Sequence, residues 1–206
     1  MFTGLIREIA VVKKYQNNIL TIKSTHKAKI GDSIAVNGVC LTVIKVNSDG
    51  FDLELSDETR AIIDKSKLEG RVHIEPAMRL DDRFEGHIVQ GHVDCVGEVI
   101  SIVKRENATD FIIKVDPKYI AYIIPKGSIT IDGVSLTVND VYLDSFRLTI
   151  IPHTLKETLI GEYKIGSKVN IETDLFARYI DHILQHRNSK KKSMGWSEID
   201  QIQMSY

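Results

Sequence analysis

The chain has 206 residues, 43% of them hydrophobic and 27% charged, with a formal net charge of -1. That balance is ordinary for a globular protein and presents no basic field to a nucleic acid, while the length suffices for two domains of the commonest size. The two cysteines, Cys40 and Cys95, make neither a disulfide framework nor a structural zinc site, which fits reduced thiols in a cytoplasmic protein.

In chain order, the opening MFTGLIREIAVVKK scatters charges through its apolar residues and is expected to carry no signal peptide. The longest apolar run, YIAYII at 119–124, is far short of the roughly 20 residues that span a bilayer, so no membrane partner is expected. Short segments rich in Val, Ile, Thr and Leu follow, with strand-like alternation in ILTIKS, FDLEL, FIIKV and FRLTI, broken by GD, NG, SDG, KG and DG. This pattern predicts an all-β chain. About six such strands in each half, without a long helical period between them, predict small closed Greek-key barrels.

An internal duplication sets the count at two. NGVCLTV from Asn37 and DGVSLTV from Asp132 lie 95 positions apart, as do Thr59 in SDET and Thr154 in PHTL. VHIE at 72–75 matches VNIE at 169–172, and GLIREIAVV from Gly4 matches GHVDCVGEV from Gly91. The junction falls in LDDRFEGH at 80–87, giving domains 1–87 and 88–184, with a tail at 185–206. From Asp174, a plausible N-cap, DLFARYIDHILQH places Leu175, Phe176, Tyr179, Ile180, Ile183 and Leu184 at helical spacing. HRNSKKKSMG reads as a basic linker, and Ser197 with Asp200 as the start of a short last helix. The helical stripe needs cover, either on its own chain or on further copies.

Within the kernels, alternation turns Val39, Leu41 and Val43 inward and leaves Cys40 and Thr42 on the other face. Val134, Leu136 and Val138 likewise oppose Ser135, Thr137 and Asn139. A thiol or hydroxyl two residues from a threonine offers polar groups about 7 Å apart, suited to the edge of a planar heterocycle. Two copies imply two similar pockets, and the exchange of a thiol for a hydroxyl implies unequal roles. GHIVQGHVD at 86–94 adds His87, read as structural, and His92, suited to proton transfer. Zinc spacing, a P-loop, GxGxxG and GxSxG are all lacking.

MFTGLI, NGVCLTV, GHIVQGHVD, KGSITIDGVSLTV and IPHTL, in that order across two repeats and ahead of a helix, resemble the two-barrel, lumazine-binding riboflavin synthases over residues 1–184. The resemblance implies a homotrimer held by C-terminal helices. It implies dismutation of two molecules of 6,7-dimethyl-8-ribityllumazine to riboflavin and 5-amino-6-ribitylaminouracil, with no cofactor and no metal, at sites between barrels of neighbouring subunits. Lumazine synthase is the candidate partner protein.

Carried over by motif, Gly4, Leu5 and Ile6 would line the first pocket with Cys40, Leu41, Thr42 and the loop Glu54, Leu55, Ser56, Asp57, Glu58 and Thr59. Gly91, His92, Val93, Lys126, Ser135, Leu136, Thr137, Thr149, Ile150, Ile151, Pro152, His153 and Thr154 would line the second. Phe2 would lie near the reacting rings, and Cys40, His92, Ser135, Thr137 and Asp174 would carry proton transfer and nucleophile activation. ETRAIIDKSKLEG after Asp57, Glu85 and ETLIG at 157–161 depart from the family's usual residues. A non-catalytic lumazine or flavin antenna is the nearest rival, and a nucleic-acid-binding barrel a distant one, since aromatics make up only 7%.

Overall fold

The computed structural model describes residues 1–190, with the side chains of residues 1–187. Strands β1 (Glu8–Gln16), β2 (Ile19–Lys23), β3 (Ser33–Val36), β4 (Val39–Asn47), β5 (Gly50–Glu54) and β6 (Arg71–Pro76) close a barrel in the order β1-β2-β5-β4-β3-β6. A second barrel is closed by β7 (Cys95–Lys104), β8 (Thr109–Lys114), β9 (Ser128–Ile131), β10 (Val134–Val141), β11 (Ser145–Ile150) and β12 (Lys168–Thr173), with equivalent neighbours throughout. Both are wholly antiparallel, so closure removes every free edge of strands that alternate core and solvent residues.

The barrels repeat each other down to their irregularities. Register shifts lie at Val12/Lys14 in β1 and Val99/Ser101 in β7, and at Val43/Lys45 in β4 and Val138/Asp140 in β10. Each kernel opens on a two-residue hairpin turn, Asn37-Gly38 or Asp132-Gly133, with positive φ at both positions. That is the backbone that Asn-Gly and Asp-Gly favour. As the alternation predicted, Val39, Leu41 and Val43 are core of the first barrel and Val134 and Val138 of the second, with Leu136 half-buried against it.

The hairpin tips meet between the barrels, where a pseudo-two-fold pattern of hydrogen bonds joins them. Asn37 Oδ1 accepts from the His73 amide (2.8 Å) and Asp132 Oδ1 from the Asn170 amide (2.8 Å). Across the interface the Asn170 side-chain amide donates to the Asn37 carbonyl (2.9 Å), and the His73 ring places Nδ1 2.9 Å from the Asp132 carbonyl. Lys67 of the first barrel bonds Asp132 at 2.7 Å, and the Tyr163 hydroxyl donates to the same carboxylate.

Two short helices, α1 (Asp57–Ile62) and α2 (Pro152–Glu157), occupy equivalent loops, and α3 (Leu175–Lys190) follows the second barrel. Asp174 accepts from the Phe176 amide at 2.8 Å, as an N-cap does. Helix α3 runs past His186, where a linker was expected. Residues 186–190 contain no Gly or Pro to stop it. The last helix expected from Ser197 lies outside the described residues. The stripe of α3 does not fold back on its own barrels: Phe176, Tyr179, Ile180, Ile183 and Leu184 remain 49–60% exposed, while Ala177 is buried.

His73 is nearly inaccessible, and its Nε2 accepts the Leu159 amide N–H at 2.7 Å. An amide can only donate, so Nε2 is unprotonated and the proton sits on Nδ1, facing the Asp132 carbonyl. Burial holds the His73 pKa below its ordinary value. The unfolded chain therefore takes up a proton near pH 6.5 that the folded protein refuses, and the stabilisation present above that pH is lost as pH falls. Relative to a His73→Asn variant, the wild-type chain is expected to lose stability below about pH 6.5, by up to about 1.4 kcal/mol per pH unit. Urea unfolding across pH 5.5 to 8 measures this gap, and a constant gap would contradict the assignment.

Candidate active site

Two stretches without regular structure, residues 1–7 and 87–94, lie between the barrels and bring the site together. They pair at an antiparallel bridge, with the Phe2 amide donating to the Val89 carbonyl (2.7 Å) and the Val89 amide to the Phe2 carbonyl (3.1 Å). Beyond the bridge each stretch lies on the other half's kernel strand. The Cys40 amide donates to the Gly91 carbonyl, and the Ser135 amide to the Gly4 carbonyl, both at 2.8 Å.

Glycine is required at both crossings. Gly4 and Gly91 have φ of +80° and +77°, and a Cβ would stand 2.6 Å from the Ser135 Cβ or 2.7 Å from the Cys40 Cβ. This arrangement corrects the grouping expected above. Gly91, His92 and Val93 belong with Cys40, whereas Gly4, Leu5 and Ile6 belong with Ser135, because each leading segment crosses to the opposite barrel. Val93 accordingly packs against the first core and Ile6 against the second.

Around Cys40 the crossing leaves a cleft of about 460 Å³, lined by Val39, Cys40, Glu58, Thr59, Ile62, Ile63, Gly91, His92, Val93, Asp94 and Arg178. Ser56 caps α1 by accepting the Thr59 amide at 3.1 Å, which sets Glu58 and Thr59 on the cleft wall. Asp57 is turned aside into an ion pair with Arg60, and Glu54 and Thr42 are exposed on the strands. Leu41 and Leu55 are core side chains and are not among the residues lining this cleft. Phe2, expected beside the reacting rings, is 0% exposed and packs with Val89, Ala35 and Cys40, so it underlies the seat and does not open into it.

At the second kernel Ser135 is half-buried and Thr137 exposed. His87, expected to be structural, has its Nδ1 2.7 Å from the Ser135 Oγ, and the residue is 9% exposed. Burial holds the His87 pKa below its ordinary value, partly opposed by the negative charge of Asp174. Lys126, at the turn into β9, has φ +64° where the first barrel has Gly31. A non-glycine residue held there stores about 1 kcal/mol or more. Thr149 serves a polar network with Asp110 and Arg147, and Ile150 is core. Ile151, Pro152 and His153 are exposed around the start of α2, with Thr154 half-buried.

Two glutamates absent from the expected set hold the crossings. Glu75 accepts the Thr3 amide and hydroxyl (2.7 and 2.8 Å) and the Gly4 amide (3.0 Å). Glu172 accepts the amides of Gln90, Gly91 and His92 at 2.8, 2.9 and 3.1 Å. Both are buried, and burial raises both pKa values, that of Glu172 to about 7. Their signal was present in VHIE and VNIE, a charge closing two equivalent strands whose preceding residues are buried. Asp94 adds to this side of the molecule, accepting from the Thr173 amide and hydroxyl and pairing with Arg178 of α3 at 2.9 Å.

Comparison with known proteins agrees with this architecture. The model of the lumazine binding domain matches the chain twice, over residues 3–77 and 90–174. The riboflavin synthase of Actinobacillus pleuropneumoniae is 46% identical over 193 residues, covering 89% of this chain and 90% of that one. That of Bacillus subtilis is 39% identical over 200 residues, covering 93% of each. A crystal structure of LumP complexed with riboflavin shares the fold at a TM-score of 0.74 and 23% identity, covering 84% of this chain and all of that one. The chain therefore belongs to the lumazine-binding family, in the branch of the riboflavin synthases.

Proposed function

We propose that this protein is a riboflavin synthase, joining two molecules of 6,7-dimethyl-8-ribityllumazine and moving a four-carbon unit from one to the other to give riboflavin and 5-amino-6-ribitylaminouracil. The observation that carries the reading is the pair of pseudo-equivalent seats, built on the same backbone and furnished with different polar groups. Two copies of one substrate need two similar seats, and a donor and an acceptor need different chemistry.

In this reading the acceptor sits in the cleft at Cys40, whose thiol is the nucleophile nearest its ring. Thr59 and His92 bound the same space. The other seat is completed by Ser135, Gly4, Leu5 and Ile6, with Lys126, Thr137, Ile151, Pro152, His153 and Thr154 at its rim. The 7-methyl group of a lumazine is acidic because its carbanion delocalises through the fused rings, so a modest base suffices. His87, kept neutral by burial, accepts the Ser135 proton through Nδ1 and makes the hydroxyl oxygen a proton acceptor. Holding two flat molecules in register contributes effective molarities of about 10⁵ M or more. Asp174 acts on this site through the charge it places near His87.

The active protein is a homotrimer formed through α3, with each complete site between the first barrel of one copy and the second barrel of another, in the cytoplasm. Support comes from the exposed stripe at Phe176, Tyr179, Ile180, Ile183 and Leu184, an apolar face too continuous for solvent. Residues 1–87 and 88–184 then act as the two lumazine-binding domains and 185–206 as the oligomerisation tail, with lumazine synthase as a partner supplying substrate.

Purified protein given the dimethyl-ribityl-lumazine alone should form riboflavin at half the molar amount consumed. Ligand binding without turnover would favour an antenna protein. Ser135→Ala should lower kcat by roughly 10²-fold, and Cys40→Ser by a different factor. Equal, small losses would contradict distinct roles. Ile180→Glu with Ile183→Glu should convert a three-chain mass in light scattering to that of a single chain and abolish turnover. An unchanged mass would show that α3 does not hold the assembly.

A further inference from the structure

Glu172 belongs to the last strand of the second barrel, yet its carboxylate is spent on the segment that shapes the first barrel's cleft. Its two oxygens take three consecutive amides, those of Gln90, Gly91 and His92. On the other side of that backbone, the Gly91 carbonyl receives the Cys40 amide, and Gly91, His92 and Val93 face the cleft. A carboxylate only 2% exposed is costly to keep, and an apolar side chain in its place would strand three buried donors. Glu75 repeats the device in reverse, anchored in the first barrel and holding Thr3 and Gly4 against Ser135. Such duplication at strand-equivalent positions argues that each carboxylate serves the crossing it holds.

We propose that Glu172 is a positioning residue for the Cys40 seat, fixing from the second barrel the backbone that gives the first barrel's cleft its shape, and that Glu75 does the same for the Ser135 seat. The inference rests on the reading of the Cys40 cleft and the Ser135 surface as pteridine seats. It makes each seat depend on the opposite barrel, so a change at the end of β12 is felt at Cys40 and not at Ser135.

The groups facing Glu172 are Arg178 from α3, at 3.7 Å, Asp94 and His92 on the held segment, and Thr130 on the paired strand β9. Since burial lifts the Glu172 pKa to about 7, its proton arrives in the physiological range and turns one oxygen from acceptor to donor against the amides. The Cys40 seat should therefore bind less tightly as pH falls through 7, and this dependence should be weaker in Glu172→Gln.

Cys40 itself provides a seat-specific reporter. Cys95 is buried with its thiol pushed up to about 12, whereas Cys40 lines the cleft, so iodoacetamide on the full chain reports Cys40. Riboflavin, as the probe, should slow alkylation of the wild-type protein. In Glu172→Gln the riboflavin concentration giving half protection should rise roughly tenfold or more, the effect of one lost charge-assisted hydrogen bond. Glu75→Gln should protect like wild type, with its loss appearing as a raised KM in turnover. Glu172→Asp, which keeps the charge but withdraws it by one methylene, should act as Glu172→Gln does and serves if that variant does not fold. Wild-type protection in Glu172→Gln, or equal shifts in Glu172→Gln and Glu75→Gln, would overturn the proposal. Failure of riboflavin to protect even the wild-type thiol would overturn the pteridine-seat reading beneath it.

Discussion

A Cβ at Gly4 or Gly91 would lie within 2.7 Å of the side chain it crosses, and the absence of that atom lets each half's leading segment lie flat on the other half's kernel strand. The way each half builds part of the other's seat follows from that contact. Once the segments cross, their amides need acceptors in a region closed to water, and the buried carboxylates of Glu75 and Glu172 supply them. Ionising a buried carboxylate is unfavourable, which is why both pKa values are raised, and aligned backbone donors partly offset the cost.

The pseudo-two-fold is obeyed by the backbone and broken by side chains. Phe2 pairs with Val89, and the Gly4 and Gly91 carbonyls take the Ser135 and Cys40 amides at the same 2.8 Å. On this frame Asn37 answers to Asp132, His73 to Asn170 and Cys40 to Ser135, and His87 stands 2.7 Å from the Ser135 hydroxyl. The first two differences add partners at the interface: Asp132 draws Lys67 and Tyr163, and the His73 ring reaches the Leu159 amide. The last two fall at the seats, where a duplicated frame carries groups of different acidity and reach. Gene duplication supplies the geometry and local substitution the chemistry.

Period-two alternation in short Val- and Ile-rich segments was enough to read the barrels, because each strand has one face in a core. The kernels announced their hairpins through Asn-Gly and Asp-Gly. What sequence spacing could not reveal was which barrel each leading segment would serve. Proximity along the chain favours Gly4 with Cys40, but the amides of residues 3 and 4 and of 90–92 are satisfied only at the interface, a constraint visible in three dimensions alone. Glu75 and Glu172 escaped notice because a charge at a strand end normally faces water. His87 escaped because its partner, Ser135, lies 48 residues away. Helix α3 runs further than expected because a run of polar and basic residues resembles a linker even where nothing in it breaks a helix.

A crystal structure of the protein with riboflavin or the dimethyl-ribityl-lumazine bound would test the crossing most directly. A ring in the first barrel touching Cys40 together with Gly91, His92 and Val93, and a ring in the second touching Ser135 together with Gly4, Leu5 and Ile6, is the predicted result. A ring in the first barrel that contacts Gly4 to Ile6, with Gly91 to Val93 turned away from Cys40, would contradict it.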